Sequence, residues 1–509
     1  MSYSLVWFKR DLRWQDHKAL ASAAHAGPVR CLYVVEPGLW QQPDMALQHF
    51  HFVQECLGDV HQHLQSLGGG LEVRTGTITE VLSAIWQQAP FNQLHSHEET
   101  GNGWTYERDK AVAAWCHAHG VIWHEHRQFG VVRRLRDRNT WQAAWETTMA
   151  EPLADTSGLR FWTPTADAPS PRAMRAPSHL VHNPPARQRG GRERGLSTLN
   201  GFLHTRSLGY RGGISSPLTA PDACSRLSPH LAWGSVGLRE TVQLTRAHIA
   251  ALPPEATRHR AGLQAFMSRL YWHCHFIQKL ESEPAIEWVN MHRGYDGLRE
   301  NDHNLAHFEA LTSGRTGWPL VDACVAMLEH TGWLNFRMRA MLVSVAAYPL
   351  WLHWRPVGLW LATRFLDYEP GIHWSQMQMQ SGTTGINTTR VYNPIKQAQD
   401  HDPHGRFVRR WLPALRQVPD SWLLEPWRMP TTLVPGVNLP TPPVELAAAT
   451  RNAKTRLHER RRDPEVRAGK AAVIDKHASR QGWSGQGRRK TPPPASGAGA
   501  GAVQLGFDF

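Results

Sequence analysis

Short apolar runs alternate with amphipathic ones through the first quarter of the chain. Residues 4–9 (SLVWFK), 29–35 (VRCLYVV), 71–76 (LEVRTG), 91–97 (FNQLHSH) and 121–126 (VIWHEH) read as strands. Between them, residues 16–26, 47–66, 78–88 (Thr79 near its start) and 105–120 read as helices, the last ended by Gly120. This alternation predicts a doubly wound parallel sheet, an α/β domain over residues 1–130. No G-x-G-x-x-G turn follows the first strand, which excludes a dinucleotide fingerprint.

Beyond residue 130 the periodicity fades. RRLRDR (133–138) is basic, and the stretch to residue 195 is rich in Pro, Ala and Arg, which predicts an interdomain linker on the surface over 131–195. Residues 196–425 are helical in pattern throughout, predicting a large all-α domain. Within it, Leu320, Val321, Cys324, Met327 and Leu328, then Leu334, Met338, Met341, Leu342 and Val345, keep helical spacing. Arg337 and Arg339 interrupt that apolar run, and a buried arginine requires a partner. Asp367 and Glu369, in the turn FLDYEPG, are the candidates. SGTTGINTT and a Tyr-Asn-Pro turn follow, and apolar helices, paired charges and a small-residue turn suit a large planar polar ligand. In CSRLSPHLAWG (224–234), Ser225 and Ser228 bracket Arg226 ahead of a helix starting near Pro229. Hydroxyls and a helix N-terminus suit a diphosphate, although an ordinary capped helix start explains S-x-x-S-P equally well.

Composition adds less than it first promises. The net charge is +13, but residues 451–490 hold 13 Lys/Arg against 4 Asp/Glu, so the excess belongs to a basic tail. The 23 tryptophans are an unusual load, most of it explained by packing. Six cysteines lie at least 25 residues apart, which argues against metal knuckles and a disulfide framework; no metal is expected. No apolar run is long enough to span a membrane and the start lacks a cleavable leader, so a cytoplasmic protein is expected.

LVWFKRDLR near the start, then CSRLSPHLAWG, TGWLNFRMR, FLDYEP, GTTGIN and YNPIKQ together resemble the DNA photolyase/cryptochrome family, in the family's order, over residues 3–425. The resemblance implies FAD as cofactor and an antenna chromophore of unknown identity near the domain boundary. It implies FAD contacts from Tyr210, the loop Cys224, Ser225, Arg226, Leu227 and Ser228, then Arg337, Arg339, Asp367, Tyr368, Glu369 and Asn387. Asp367, paired with Arg339, is placed at the isoalloxazine edge. His373 falls where the family faces the flavin's redox nitrogen, with Asn387 as the alternative. Trp272 matches the tryptophan that meets damaged bases. The family's glutamate three residues earlier is Arg269 here, and its asparagine after G-W is Phe336. Trp354 matches the middle member of the tryptophan electron chain, whose inner and outer positions are Met377 and Asn301. Trp374, Trp351, Trp360, Trp333 and Trp318 are candidates for another route. The activity implied is light-driven electron transfer repairing ultraviolet pyrimidine photoproducts in DNA, a deoxyribodipyrimidine photo-lyase. The departures at Arg269 and Phe336 favour a cryptochrome-like blue-light receptor as the alternative.

Residues 426–509 are Pro-rich, then basic, then small-residue linker, which predicts a disordered tail. Its end, Gln504–Phe509 (QLGFDF), resembles the short peptides with which bacterial repair proteins dock on the replicative sliding clamp.

Overall fold

The computed structural model describes residues 3–162, 170–386, 390–430, 432–433 and 440–477. Five strands, β1 Ser4–Phe8, β2 Val29–Val35, β3 Leu71–Thr75, β4 Gln93–His97 and β5 Ile122–His126, form one parallel sheet in the order β3-β2-β1-β4-β5. Every residue of β1 and β2 is buried, as expected of central strands covered by helices on both faces. β5 lies at the edge and turns Ile122 outward. The crossover helices are α1 Lys18–Ala26, α2 Leu47–Ser66, α3 Ile78–Gln88 and α4 Gly103–Ala118. The cap of α3 is Thr77, whose hydroxyl accepts from the Glu80 N–H. Thr79, placed near this helix start by the sequence pattern, lies inside the first turn.

The connector departs from a surface linker. It contains a helix, α5 Trp141–Ala150, whose Trp141, Trp145 and Met149 recur every four residues and are buried against the helical domain. Further on, Met174 and Leu180 pack into the core of the sheet domain. The helical domain follows as expected, and its framework is α6 Arg192–His204, α7 Leu238–Ala251, α8 Thr257–Ser282, α9 Pro319–Thr331, α10 Phe336–Ala347, α11 Trp354–Arg364 and α12 Pro370–Ser381, with shorter helices between. Part of the tail is also ordered, against expectation. α13 Leu446–Arg462 and α14 Pro464–His477 bury Ala453, Leu457 and Val466 beside Tyr295 and Tyr348. Arg456 pairs with Asp302, and His477 and Lys476 both reach Glu283. A disordered tail therefore does not describe residues 446–477, because these apolar positions and ion pairs find partners on the body. Gln504–Phe509 lies outside the described residues. No helix among the described residues is long and apolar enough to cross a membrane. All six cysteines are free.

The two domains are joined through residues 9–17, the segment that ordinary patterning reads as a solvated turn. Arg10 donates to Ala232 O (3.0 Å) and Tyr368 O (2.6 Å), and Arg13 to Gly234 O (3.1 Å). Arg239 pairs with Asp16, and Leu12 N–H bonds Trp233 O. Two imidazoles brace this segment. His17 accepts the Leu20 N–H at Nδ1, so its proton sits on Nε2, facing Asp11; His97 Nδ1 meets the same carboxylate at 2.7 Å. A metal would need the His17 nitrogen bare, so these three residues, though close enough to share an ion, make a hydrogen-bonded brace.

Gly234 is fixed by this seam. Its φ is +70°, and a Cβ would lie 2.1 Å from Arg10 O. Gly120 has a similar φ of +66° with open space around it. Gly120→Ala is expected to cost the backbone strain alone, about 1–3 kcal/mol. Gly234→Ala should cost clearly more, because backbone at the domain seam must move; urea unfolding of both variants checks this, and equal losses would contradict it.

Candidate flavin site

The loop between Ala223 and Ser228 carries a non-glycine residue, Arg226, in the left-handed region at φ +59°. Gln188 holds it there from both sides. Its Oε1 accepts from Arg226 Nε (3.2 Å) and Nη2 (3.0 Å), and its Nε2 donates to Arg226 O (2.9 Å). The guanidinium lies 3.8 Å from the Trp333 ring centroid. Arg206 ties down the same loop, donating to Cys224 O (3.3 Å) and Ser225 O (3.1 Å). Ser225 Oγ accepts the Leu227 N–H, and Pro229 opens the next helical turn. Strain at Arg226 is thus maintained by two side chains remote in sequence, as expected where a backbone is shaped for a ligand.

Asp367 closes the other side. It takes a two-pronged pair from Arg339 (Nη1 3.0 Å, Nη2 2.9 Å) and a hydrogen bond from Ser228. Burial pushes this carboxyl up, but the Arg339 charge and hydrogen bonds outweigh it and hold it below the usual range. Arg339 also donates to Leu334 O (2.6 Å) and stacks on Phe365. Three guanidiniums, Arg206, Arg226 and Arg339, act on the Cys224 thiol, whose burial raises it to about 11 despite them. Burial lowers Arg226 to about 10, with Arg339 and Arg206 adding repulsion. Two nearby carboxylates, Asp367 and Asp222, do not balance three cations. A diphosphate would, so the residues present fit FAD.

Placement of the remaining expected residues is mixed. Tyr210 is buried beside Phe202 and Phe266 and is hydrogen-bonded to Arg269, which joins α8 to the loop region. Trp272 sits one turn further along α8, with His275 edge-on at 4.7 Å. Phe336 begins α10. Arg337 does not pair with Asp367 or Glu369: Arg339 has taken the first and Arg10 faces the second, and Arg337 Nε lacks a partner among the described residues. Tyr368 and Glu369 turn away from the loop toward the sheet domain, because the chain reverses between Asp367 and the Pro370 start of α12. The Tyr368 hydroxyl donates to Asp44 (2.6 Å), and Glu369, raised to about 7 by burial, lies 3.4 Å from Arg10. Asn387 lies outside the described residues.

His373 is buried, with Nε2 2.9 Å from Gly358 O, and burial depresses it to about 4. It is therefore neutral near pH 7, with one nitrogen committed to a carbonyl. Trp374 touches both His373 (4.9 Å between centroids) and Trp354 (5.8 Å), and Trp354 Nε1 donates to Asn290 (2.8 Å). Trp333 instead serves the Arg226 stack. Sequence reasoning missed Gln188 and Arg206. The first lies in the Pro/Arg-rich connector and the second in a short turn, and neither position carries a motif.

A second cleft lies on the domain seam, lined by Trp7, Tyr33, Glu36, Trp40, Arg108 and Trp233 among others. Trp40 Nε1 is buried there without a partner, and burial raises Glu36 to about 7. Glu36 pairs with Arg108 (3.3 Å), so the aromatic walls and the Trp40 N–H are what the cleft offers to a second aromatic group.

Two family models match: "DNA photolyase" over residues 4–136 and "FAD binding domain of DNA photolyase" over residues 266–459. A deoxyribodipyrimidine photo-lyase of Streptomyces griseus is 28% identical, covering 88% of this chain and 98% of that protein. A cryptochrome DASH of Gloeobacter violaceus is 27% identical, covering 91% and 98%. In structure, an archaeal photolyase from Sulfolobus tokodaii, described with two FAD molecules and a novel light-harvesting cofactor, superposes with a TM-score of 0.73 at 24% identity, covering 90% of this chain and 99% of that one.

Asp367→Asn is expected to weaken FAD binding by about two orders of magnitude, since charged hydrogen bonds contribute roughly 1.5–3 kcal/mol. The flavin retained by the purified variant measures this. Full retention would remove Asp367 from the site.

Proposed function

The chain belongs to the DNA photolyase/cryptochrome family and is a photolyase-like flavoprotein with an FAD-binding domain; from there we propose that it repairs ultraviolet pyrimidine photoproducts in DNA by light-driven electron transfer. The observation that carries this reading is the link from the diphosphate loop to α8, where Tyr210 bonds Arg269 and Trp272 follows on the same helical face. Bound FAD would supply light absorption and a transferable electron. The protein's part is binding, orientation and exclusion of water. Arg226, Ser225 and Ser228 would hold the diphosphate, and the Asp367–Arg339 pair would orient the ring. Trp272 offers a stacking face to a damaged base, Arg269 a donor to a phosphate or base edge, and Phe336 an apolar wall. His373 stays neutral and fixed by Gly358 O. Trp374 and Trp354 form the route by which electrons return to the site, in place of the family's chain broken at Met377. The seam cleft takes the antenna group, and Gln504–Phe509 docks on the sliding clamp.

A blue-light receptor is the second reading. It is favoured by Arg269, which cannot accept hydrogen bonds as a carboxylate does.

The chemically reduced protein, illuminated with ultraviolet-damaged DNA, should remove either cyclobutane dimers or (6-4) products. Persistence of both lesions while bound FAD photoreduces would make the protein a receptor. Trp374→Phe should slow FAD photoreduction strongly, with Trp360→Phe unchanged; equal rates would dismiss the Trp374 route. Deleting residues 504–509 should abolish binding to the purified clamp, and unchanged binding would dispose of the docking peptide.

A further inference from the structure

Beyond the flavin site, buried basic groups gather where three elements meet. Arg138 comes from the turn Arg138–Thr140, His275 and Lys279 from α8, and His477 from the end of α14. Lys279 is 6% exposed, and its ammonium makes no ion pair or hydrogen bond among the described residues; it lies 5.1 Å from the Phe276 ring centroid. Arg138 spends Nη2 on His275 (Nδ1 2.6 Å, O 3.3 Å) and stacks on Trp141, while its Nη1 is buried without a partner. His477 is 1% exposed; its Nε2 lies 2.7 Å from Glu283, and its Nδ1 is buried and unpartnered among the described residues.

This is a costly arrangement for a cluster with no ligand. The buried Arg138 and His477 nitrogens without partners each carry a desolvation penalty, and the Lys279 ammonium beside them has no carboxylate to pair with. Among the described residues Glu283 is the one carboxylate bonded to the cluster, and it is shared between His477 and Lys476. Burial lowers Lys279 to about 7, with Arg138 adding repulsion. Burial also depresses His275, and Lys279, Arg138 and His477 all push it the same way. Unmet donors from separate elements, with an excess of positive charge, ask for acceptors that carry negative charge.

We propose that Arg138, Lys279, His275 and His477 form a binding site for one phosphate group, distinct from the flavin cradle, which fastens α14 to α8. The tetrahedral oxyanion would accept from Arg138 Nη1 and Lys279 Nζ, and from His477 Nδ1 once that nitrogen is protonated. Its occupant is either free phosphate or a phosphodiester of a nucleic-acid strand, since Trp272 and its stacking face adjoin His275. The site does not depend on the light reaction, so its test is independent of repair.

Thermal unfolding of the full-length protein, titrated with inorganic phosphate at constant ionic strength against chloride, tests this. Phosphate should raise the wild-type Tm by about 1 °C, the shift that roughly 1 kcal/mol of binding gives a chain of this size. Lys279→Met and Arg138→Gln should both lose that rise, and Lys279→Met should itself be more stable in chloride, having lost a buried unpaired cation. An equal rise in wild type and variants, or none in the wild type, overturns the site. A short undamaged oligonucleotide separates the two sources. Competition by phosphate that Lys279→Met abolishes supports a phosphodiester occupant; an unaffected oligonucleotide with the Tm rise intact supports free phosphate.

Discussion

The Arg339–Asp367 pair is the contact on which the helical domain's site depends. It ties α10 to the turn before α12, and through Ser228 it reaches the loop that contains Arg226. Removing either charge leaves the other buried and unpaired, a larger loss than the pair's own net contribution. The pair also sets a charge balance. With Asp367 engaged by Arg339, Asp222 is left to answer Arg226 and Arg206, and the cradle keeps a positive excess suited to a diphosphate.

A second constraint is the seam. Residues 9–17 serve as both strand-to-helix turn and interdomain joint, so the position of Asp367 relative to the sheet is set by main-chain contacts through Arg10 and Arg13. The same joint explains why Tyr368 and Glu369, adjacent to Asp367, face the sheet domain. One turn of chain is used on one side to pair with Arg339 and on the other for domain attachment.

Much of the fold was legible because its signals are local. β2 is a run of apolar and β-branched residues, and α2 and α3 have complete amphipathic patterns, so their limits follow from sequence. Arg339, Asp367 and Ser228 were legible through chemistry, since charges in an apolar run require partners. Gln188 was not, because a glutamine in a Pro/Arg-rich connector gives no sign that it will brace a left-handed arginine 38 residues later. α5 was available as Trp141, Trp145 and Met149 at four-residue spacing, but the basic run before it obscured that period. α13 and α14 read as a solvated basic tail because their docking rests on a few apolar residues and on Glu283 and Asp302, far away in sequence.

A diphosphate is the group suited to discharge Arg206 and Arg226, since Arg339 is already paired with Asp367. Titration of the flavin-free protein with FAD and with riboflavin, which shares the ring but lacks the phosphates, measures that contribution directly. The account predicts that FAD binds tighter than riboflavin by orders of magnitude, and that Arg226→Gln removes most of the difference. Equal affinity for the two ligands would contradict it, leaving the strained Arg226 loop without the role assigned to it.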